Sequence, residues 1–169
     1  MKEKSNRRDF IKTSSAAAVA AGSITFPTVT FGKPDSRKLK IGFIGCGGRG
    51  RGEMQNLSQF DDVELVAACD PVAEVREPLA DEYGIARRYG SIEKMLDAGE
   101  IDAAWVTTPA HLNAPSALPC LEAGVHTLLE KPPGMFVEET IQLRGVAEQS
   151  GAKGMVGWQR RFVPMVVEA

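Results

Sequence analysis

The sequence predicts an α/β protein built on a doubly wound parallel sheet. Three observations predict this class: short apolar runs alternate with stretches of helical spacing, glycines stand where helices would end, and a glycine-rich turn follows the first apolar run. Strands and helices that alternate in this way are typical of a parallel sheet covered by helices on both faces. The composition, 43% hydrophobic and 25% charged, is that of an ordinary globular protein.

The predicted domain covers residues 39–169, and its elements follow in a regular order. Apolar runs that predict buried strands occupy residues 39–45, 63–70, 101–108, 125–130 and 153–158, with a short further strand at 86–89. Helical spacing fills the intervals, and the expected helix ends carry Gly84, Gly99, Gly124 and Gly151. Pro78 and Pro119 fall inside two of these helices, which are therefore expected to be kinked, short or shifted.

The charge and the cysteines exclude several function classes. With 20 Lys and Arg against 22 Asp and Glu, the chain has no surplus of cations for binding nucleic acid. Cys46, Cys69 and Cys120 stand far apart in the sequence, and the chain has only two histidines. This pattern predicts neither a disulfide framework nor a metal site.

Residues 1–32 are predicted to be an export signal outside the fold. Residues 5–12 (SNRRDFIK) and 13–22 (TSSAAAVAAG) resemble a twin-arginine (Tat) signal peptide, which predicts a periplasmic protein. The apolar run is far shorter than the roughly 20 residues of a membrane-spanning helix, so no membrane anchor is expected. The alternative is a basic tail with a chance arginine pair. Removal of the signal leaves 15 cations against 20 anions, and residues 33–38 form a predicted linker.

The turn after the first strand predicts a Rossmann-type dinucleotide site. Residues 45–50 (GCGGRG) match GxGxxG, in which glycines allow a tight turn, close approach of a pyrophosphate and close helix packing. Asp70 ends the second strand 20 residues after Gly50, where a carboxylate can accept the ribose hydroxyls of NAD and repel the 2′-phosphate of NADP. Asp70 can also cap the helix that follows Pro71. A GxxxxGK[ST] triphosphatase loop is absent from the sequence, whereas the turn alone leaves a methyltransferase open.

Two further strand ends carry a resemblance to a known family. The strand at 101–107 runs into TPAH (residues 108–111), and the strand at 125–129 runs into EKP (residues 130–132). Together with the glycine turn and GWQRRF at residues 157–162, these motifs resemble the N-terminal domain of the Gfo/Idh/MocA oxidoreductases. That family comprises NAD(P)-dependent enzymes that act on sugars, cyclitols and related polyols. This resemblance also argues against the methyltransferase.

The resemblance implies roles for individual residues. Thr108, Pro109 and His111 would line the nicotinamide side, although His111 can instead cap the next helix. Lys131 is the implied catalytic residue, because its ammonium can hydrogen-bond the substrate hydroxyl and stabilise oxyanion character; the alternative is a surface lysine paired with Glu130. The predicted cofactor-binding residues are Gly45, Cys46, Gly47, Gly48, Arg49, Gly50, Asp70, Thr108, Pro109, His111, Glu130 and Lys131.

The sequence departs from the family pattern in two respects. Asn113 stands where the family usually has a histidine near the nicotinamide, and an amide does not exchange protons near neutral pH. The family's C-terminal α/β domain, which supplies the substrate pocket and most of the oligomer interface, is absent, and residues 158–169 are the expected start of the connection to it. The 169-residue chain is therefore expected to be inactive alone, and the full-length form to be a homo-oligomer.

Three functions stay open on the sequence. The leading one is an exported NAD-dependent oxidoreductase for a sugar, cyclitol or polyol, represented by its cofactor domain. The second is a non-catalytic nucleotide-binding module or truncated fragment, which the reading frame after residue 169 would distinguish. The third is an NAD-dependent glycosidase, although those relatives tend to carry valine at the position of Lys131.

Overall fold

The structure is a computed structural model that describes residues 37–162. Within this range, six parallel strands form one sheet with the order β3-β2-β1-β4-β5-β6. The strands are β1 (Leu39–Ile44), β2 (Val63–Cys69), β3 (Arg87–Tyr89), β4 (Ala103–Val106), β5 (His126–Leu129) and β6 (Gly154–Val156). This is the predicted Rossmann-type sheet, and its short third strand lies in the segment that the sequence indicated.

Helices connect the strands along the described part of the chain. They are α1 (Gly48–Leu57), α2 (Ala73–Glu82), α3 (Ile92–Asp97), α4 (Ala110–Glu122) and α5 (Val137–Ser150), followed by a 3-10 turn at Gln159–Phe162. The last four helices end within two residues of the glycines that the sequence singled out, and these glycines all have positive φ. No helix in residues 37–162 is both long enough and apolar enough to cross a membrane.

Two helices continue through proline residues. Pro78 lies within the ten residues of α2, and both Pro115 and Pro119 lie within the thirteen residues of α4. The expectation that these helices would be short is therefore wrong, whereas the expected kinks stay a prediction. Each helix buries an apolar face against the sheet, including Leu79 in α2 and Leu121 in α4. We attribute the continuity to this packing, which offsets the hydrogen bonds that the prolines remove.

The sheet buries apolar side chains on both faces, which explains why its strands read as continuous apolar runs. Phe43 of β1 packs on one face in a core with Met54 of α1 and Leu79 of α2. The next residue, Ile44, points to the opposite face and belongs to a second core, to which α4 and α5 contribute Leu121 and Leu143.

The strand order places a crevice beside β1. β1 lies between β2 and β4, so the chain turns to opposite sides of β1 after its first two crossovers. In open parallel sheets, ligands bind beyond the carboxyl ends of the strands at this reversal point. The glycine turn follows β1, Asp70 follows β2, and the TPAH motif follows β4. The fold therefore brings three separate sequence motifs to one edge.

Candidate dinucleotide site

The glycine turn is held tightly between β1 and β4. Gly45 has a φ of +94°, and a Cβ there would lie 2.9 Å from the backbone of Thr107. A Cβ on Gly50 would lie only 2.2 Å from the carbonyl oxygen of Gly45. Both positions therefore require glycine for the turn itself.

Gly47 and Gly48 have a different surrounding. A Cβ built on either residue would meet no heavy atom within 4 Å. Both line a cavity of about 750 Å³ that also reaches Asp70 and Thr108. Helix α1 begins at Gly48, so its first unpaired N–H groups stand at this cavity. The open space and the N–H groups fit the diphosphate of a dinucleotide.

Thr107 fastens the glycine turn to β4. Its Oγ1 donates to the carbonyl oxygen of Gly45 at 2.6 Å and lies 3.2 Å from that of Ile44. The residue is buried. The sequence analysis singled out its neighbour Thr108 and missed Thr107, because the TPAH pattern does not indicate which threonine faces the glycine turn.

Asp70 is fixed by two backbone N–H groups. Its Oδ2 accepts from the Cys46 N–H at 2.9 Å, and its Oδ1 accepts from the Val72 N–H at 2.9 Å. The predicted capping role is therefore wrong, because Val72 is the N-cap of α2, that helix has no side-chain cap hydrogen bond, and Asp70 bonds the chain ahead of the helix instead. Each carboxylate oxygen has a second lone pair, and Asp70 lines the large cavity, so these two bonds leave it able to accept ribose hydroxyls.

The Cys46 side chain points away from the cavity. It is buried in the core on the α1 side of the sheet, and only its N–H serves the site through Asp70. Burial, with Asp70 nearby, raises the pKa of the Cys46 thiol to about 12, and burial likewise raises the pKa of Cys69 and Cys120 to about 12. All three cysteines are free, and they pack as small apolar residues. The prediction that Cys46 binds cofactor therefore holds at most for its backbone.

A second cavity adjoins the first at the EKP motif. It measures about 370 Å³ and is lined by Arg49, Thr108, Glu130, Lys131 and Gln159. Arg49 and Thr108 line both cavities. The Lys131 side chain is exposed at this second cavity, whereas Glu130 is only 5% exposed. The predicted catalytic lysine thus lies beside the predicted cofactor site.

Glu130 pairs with Arg49 of the glycine turn. Its Oε1 accepts from Arg49 Nε at 2.8 Å and from Gln159 Nε2 at 3.0 Å, and its Oε2 accepts from the Lys131 N–H at 3.3 Å. Arg49 also bonds the buried Glu53, at 2.6 Å. The alternative in which Lys131 is a surface partner of Glu130 loses its basis, because Arg49 supplies the countercharge. No sequence pattern indicated this pair, whose residues are 81 positions apart.

Asn113 holds the turn that carries Lys131. Its Nδ2 donates to the carbonyl oxygens of Glu130 at 3.0 Å and Pro132 at 2.8 Å, and its Oδ1 accepts from Thr108 Oγ1 at 3.0 Å. The side chain is fully buried. The amide in place of the family's histidine therefore ties the TPAH turn to the EKP turn, a role that needs no proton exchange.

His111 lies away from both cavities. It is exposed in the first turn of α4 and is not among the residues that line either cavity, whereas Pro109 lines the larger one. Helix α4 starts from Pro109, so the capping alternative for His111 is wrong. Its predicted place at the nicotinamide stays a prediction. Within residues 37–162, no group of three or more His, Cys, Asp or Glu is arranged to hold a metal ion.

Replacing Arg49 by Ala is expected to lower the free energy of unfolding by about 1–3 kcal/mol. The change leaves the side chains of Glu130 and Glu53, 7% and 9% exposed, without their shared cation. The matched control is Arg144→Ala, which removes an 80% exposed arginine paired with Glu148 on α5 and is expected to leave the free energy of unfolding unchanged within measurement error. Urea unfolding of both variants measures the difference, and equal effects would contradict the structural role of Arg49.

Comparison with known proteins agrees with this geometry. The family model described as "Oxidoreductase family, NAD-binding Rossmann fold", that of Gfo/Idh/MocA, matches residues 39–158. The chain belongs to the Gfo/Idh/MocA oxidoreductase family. This Gfo/Idh/MocA domain is an NAD-binding domain.

Three relatives illustrate the range of this Gfo/Idh/MocA family. The chain is 32% identical to the rhizopine catabolism protein MocA of Rhizobium meliloti, over 75% of this chain and 39% of that protein. It is 33% identical to a glycosyl hydrolase family 109 protein of Stenotrophomonas maltophilia, over 79% and 31%. The structure matches scyllo-inositol dehydrogenase from Lactobacillus casei, solved with NAD(H) and scyllo-inositol, with a TM-score of 0.71, 26% identity and coverage of 76% and 38%. The chain thus spans less than two fifths of each of these relatives.

Proposed function

We propose that the protein is an exported NAD-dependent oxidoreductase that acts on a sugar, cyclitol or related polyol, and that residues 39–169 are its cofactor domain. One observation carries this proposal: the cavity of the glycine turn and the cavity of Lys131 adjoin and share Arg49 and Thr108 as walls. A cofactor seated in the first cavity would have the lysine at its reactive end.

In this proposal, the residues of this chain bind the cofactor and orient the reacting group of the substrate. When bound, the nicotinamide exchanges a hydride with a carbon of the substrate. In the direction of reduction, the Lys131 ammonium hydrogen-bonds the substrate carbonyl oxygen, stabilises the negative charge that develops there as the hydride arrives, and donates the proton that completes the hydroxyl. In the direction of oxidation, the Lys131 amine takes that proton back as the hydride leaves. Three hydrogen bonds hold the turn that carries Lys131: Asn113 bonds the carbonyl oxygens on either side of the lysine, and the Glu130 carboxylate accepts from the Lys131 N–H. The backbone from which the ammonium extends is therefore fixed.

The substrate class is supported by the relatives. One is a rhizopine catabolism protein, and a matched structure contains scyllo-inositol with NAD(H). A family 109 glycosyl hydrolase at 33% identity supports an NAD-dependent glycosidase as the second candidate. Lys131 favours the dehydrogenase, because the glycosidase relatives tend to carry valine there. As the family resemblance implies, most of the substrate pocket would be formed by the C-terminal domain, which lies in the part of the relatives that this chain does not cover.

The test of the cofactor site is a titration of NAD and NADP into the wild-type protein and Asp70→Ser. We expect wild type to prefer NAD, because the Asp70 carboxylate accepts ribose hydroxyls and repels a 2′-phosphate. Asp70→Ser is expected to weaken NAD binding by about tenfold, the effect of losing a hydrogen bond to a charged group. Wild-type protein that binds NADP as tightly as NAD, or more tightly, would contradict the assignment of Asp70 to the ribose.

Export is the part of the proposal that rests on residues 1–32, which lie outside the described residues. Changing Arg7 and Arg8 to Lys is expected to leave the precursor in the cytoplasm, because the twin arginine is the recognised feature of the signal. Fractionation with antibody detection measures this, and the expected mature protein begins after the alanine-rich run at residues 16–21. Unchanged export of the double variant would show that the arginine pair is incidental.

A further inference from the structure

A guanidinium lies directly behind the Asp70 end of the large cavity. Arg76 of α2 donates from Nη1 to the backbone carbonyl oxygen of Asp70 at 2.6 Å. The same nitrogen would lie 3.8 Å from a Cβ on Gly90, the residue that follows β3. Asp70 and Gly90 both line the cavity, so Arg76 fills the gap between the ends of β2 and β3. Its side chain is only 14% exposed.

Glu77 holds this guanidinium in place. Its Oε1 accepts from Arg76 Nε at 3.0 Å and lies 2.7 Å from Nη2, so one carboxylate oxygen faces two nitrogens of the guanidinium. Arg88 of β3 bonds the other oxygen of Glu77 at 2.8 Å and Asp81 at 2.6 Å. The hydrogen bonds from Arg88 and Arg76 lower the pKa of the Glu77 carboxyl, which keeps its charge at neutral pH.

The charges at this end of the cavity therefore stand in two layers. The carboxylates of Asp70 and Glu93 belong to residues that line the cavity, and the Arg76 cation stands behind them. Arg49, the other arginine near this cavity in the described part of the chain, belongs to the glycine turn and bonds Glu130 and Glu53. A phosphate on the ribose proposed to contact Asp70 would thus meet a carboxylate first, with the Arg76 guanidinium directly behind it.

We propose that Arg76, held by Glu77, is the residue that would bind the 2′-phosphate of NADP once the charge of Asp70 is removed. Arg76 is a latent site for a 2′-phosphate, kept unavailable by the charge of Asp70 in front of it and by its salt bridge to Glu77. The proposal rests on the proposed position of the adenosine ribose beside Asp70. An arginine after the second strand is the residue type that accommodates a 2′-phosphate in dinucleotide-binding folds, because its planar guanidinium forms charge-assisted bonds with phosphate oxygens.

The experiment titrates NADP and NAD into five forms of the protein: wild type, Asp70→Ser, Asp70→Ser with Arg76→Gln, Asp70→Ser with Glu77→Gln, and Asp70→Ser with Arg144→Gln. Asp70→Ser is expected to bind NADP about tenfold more tightly than wild type does, because a charge-assisted bond to Arg76 replaces a repulsion. Arg76→Gln should abolish that gain. Glu77→Gln should increase it, because the guanidinium is released, and Arg144→Gln, which removes the same charge from distant α5, should keep it.

The outcomes separate this inference from the proposed cofactor site. Weaker NAD binding by Asp70→Ser without any Arg76-dependent gain in NADP binding would overturn the role of Arg76 and leave the cofactor site intact. NAD binding that Asp70→Ser does not change would overturn both. Thermal unfolding of each variant shows that it is folded, and Asp70→Asn, which keeps the shape of the side chain and one oxygen acceptor for either the Cys46 or the Val72 N–H group, repeats the test if Asp70→Ser does not fold.

Discussion

Replacing Lys131 by Met is expected to lower turnover by about 10²- to 10⁴-fold, the range for lost acid–base assistance, in a form of the protein that carries a substrate domain after residue 169. Methionine keeps an unbranched side chain and removes the ammonium. Because the Lys131 side chain is exposed and outside the two cores, NAD affinity and the free energy of unfolding should change little. Initial rates of NADH formation, NAD titration and urea unfolding measure the three quantities.

Glu130→Gln is the comparison for Lys131→Met. Glu130 is buried and bonded to Arg49 and Gln159, so its change should reduce stability, whereas that of Lys131 should not. The 169-residue chain alone should show no turnover, because hydride transfer needs a substrate held about 3–3.5 Å from the acceptor carbon. Near-normal turnover of Lys131→Met would contradict the catalytic role, and sugar oxidation by the short chain would contradict the need for a substrate domain.

Gly47→Ala is expected to weaken NAD binding with little effect on stability, whereas Gly50→Ala is expected to lower stability. A methyl group on Gly47 meets no heavy atom within 4 Å, so the fold should tolerate it, yet it enters the cavity wall where the diphosphate would approach. We expect at least about a tenfold loss of NAD affinity with a change in the free energy of unfolding below about 1 kcal/mol.

Gly50→Ala should instead lower the free energy of unfolding by about 1–3 kcal/mol or more, since its Cβ would lie 2.2 Å from the Gly45 carbonyl oxygen and the backbone must move. Urea unfolding and NAD titration of both variants measure the two effects. Gly52→Ala, also in α1 and with no heavy atom within 4 Å of its Cβ, is the control that should leave NAD affinity unchanged and raise the free energy of unfolding by about 0.5–1 kcal/mol. A Gly47→Ala variant that binds NAD normally would contradict close approach of the diphosphate at this residue.

The arginine at position 49 connects the two halves of the proposed site. It belongs to the glycine turn, while its partner Glu130 precedes the catalytic lysine. Gln159, in the 3-10 turn after β6, bonds the same carboxylate oxygen. The proposed lysine therefore stands on a turn that the cofactor loop itself supports, and loss of Arg49 is expected to affect both cavities.

The local patterns of the sequence determined most of the fold. Continuous apolar runs predicted strands buried on both faces, because a parallel sheet leaves neither face to solvent. The glycines at residues 84, 99, 124 and 151 predicted helix ends, since positive φ is accessible to glycine without steric strain. The glycine turn and Asp70 predicted a dinucleotide site because their spacing is fixed by one strand and one helix. Where local propensity and tertiary packing conflict, as at Pro78 and Pro119, the expectation of short helices was wrong.

Only the tertiary structure decided which side chains meet across the carboxyl edge of the sheet. The Arg49–Glu130 pair, the bonds from Asn113 to the lysine turn and the position of Arg76 behind Asp70 join residues of different elements or faces. The direction of the Cys46 side chain into the core and the exposure of His111 were equally invisible in the motifs. A motif determines which backbone segment reaches the carboxyl edge of the sheet, because the local sequence sets the lengths of the strands and helices. The direction of each side chain depends on neighbours that packing brings together from distant positions, so the sequence alone determined the fold and the motifs, and the folded chain determined their partners.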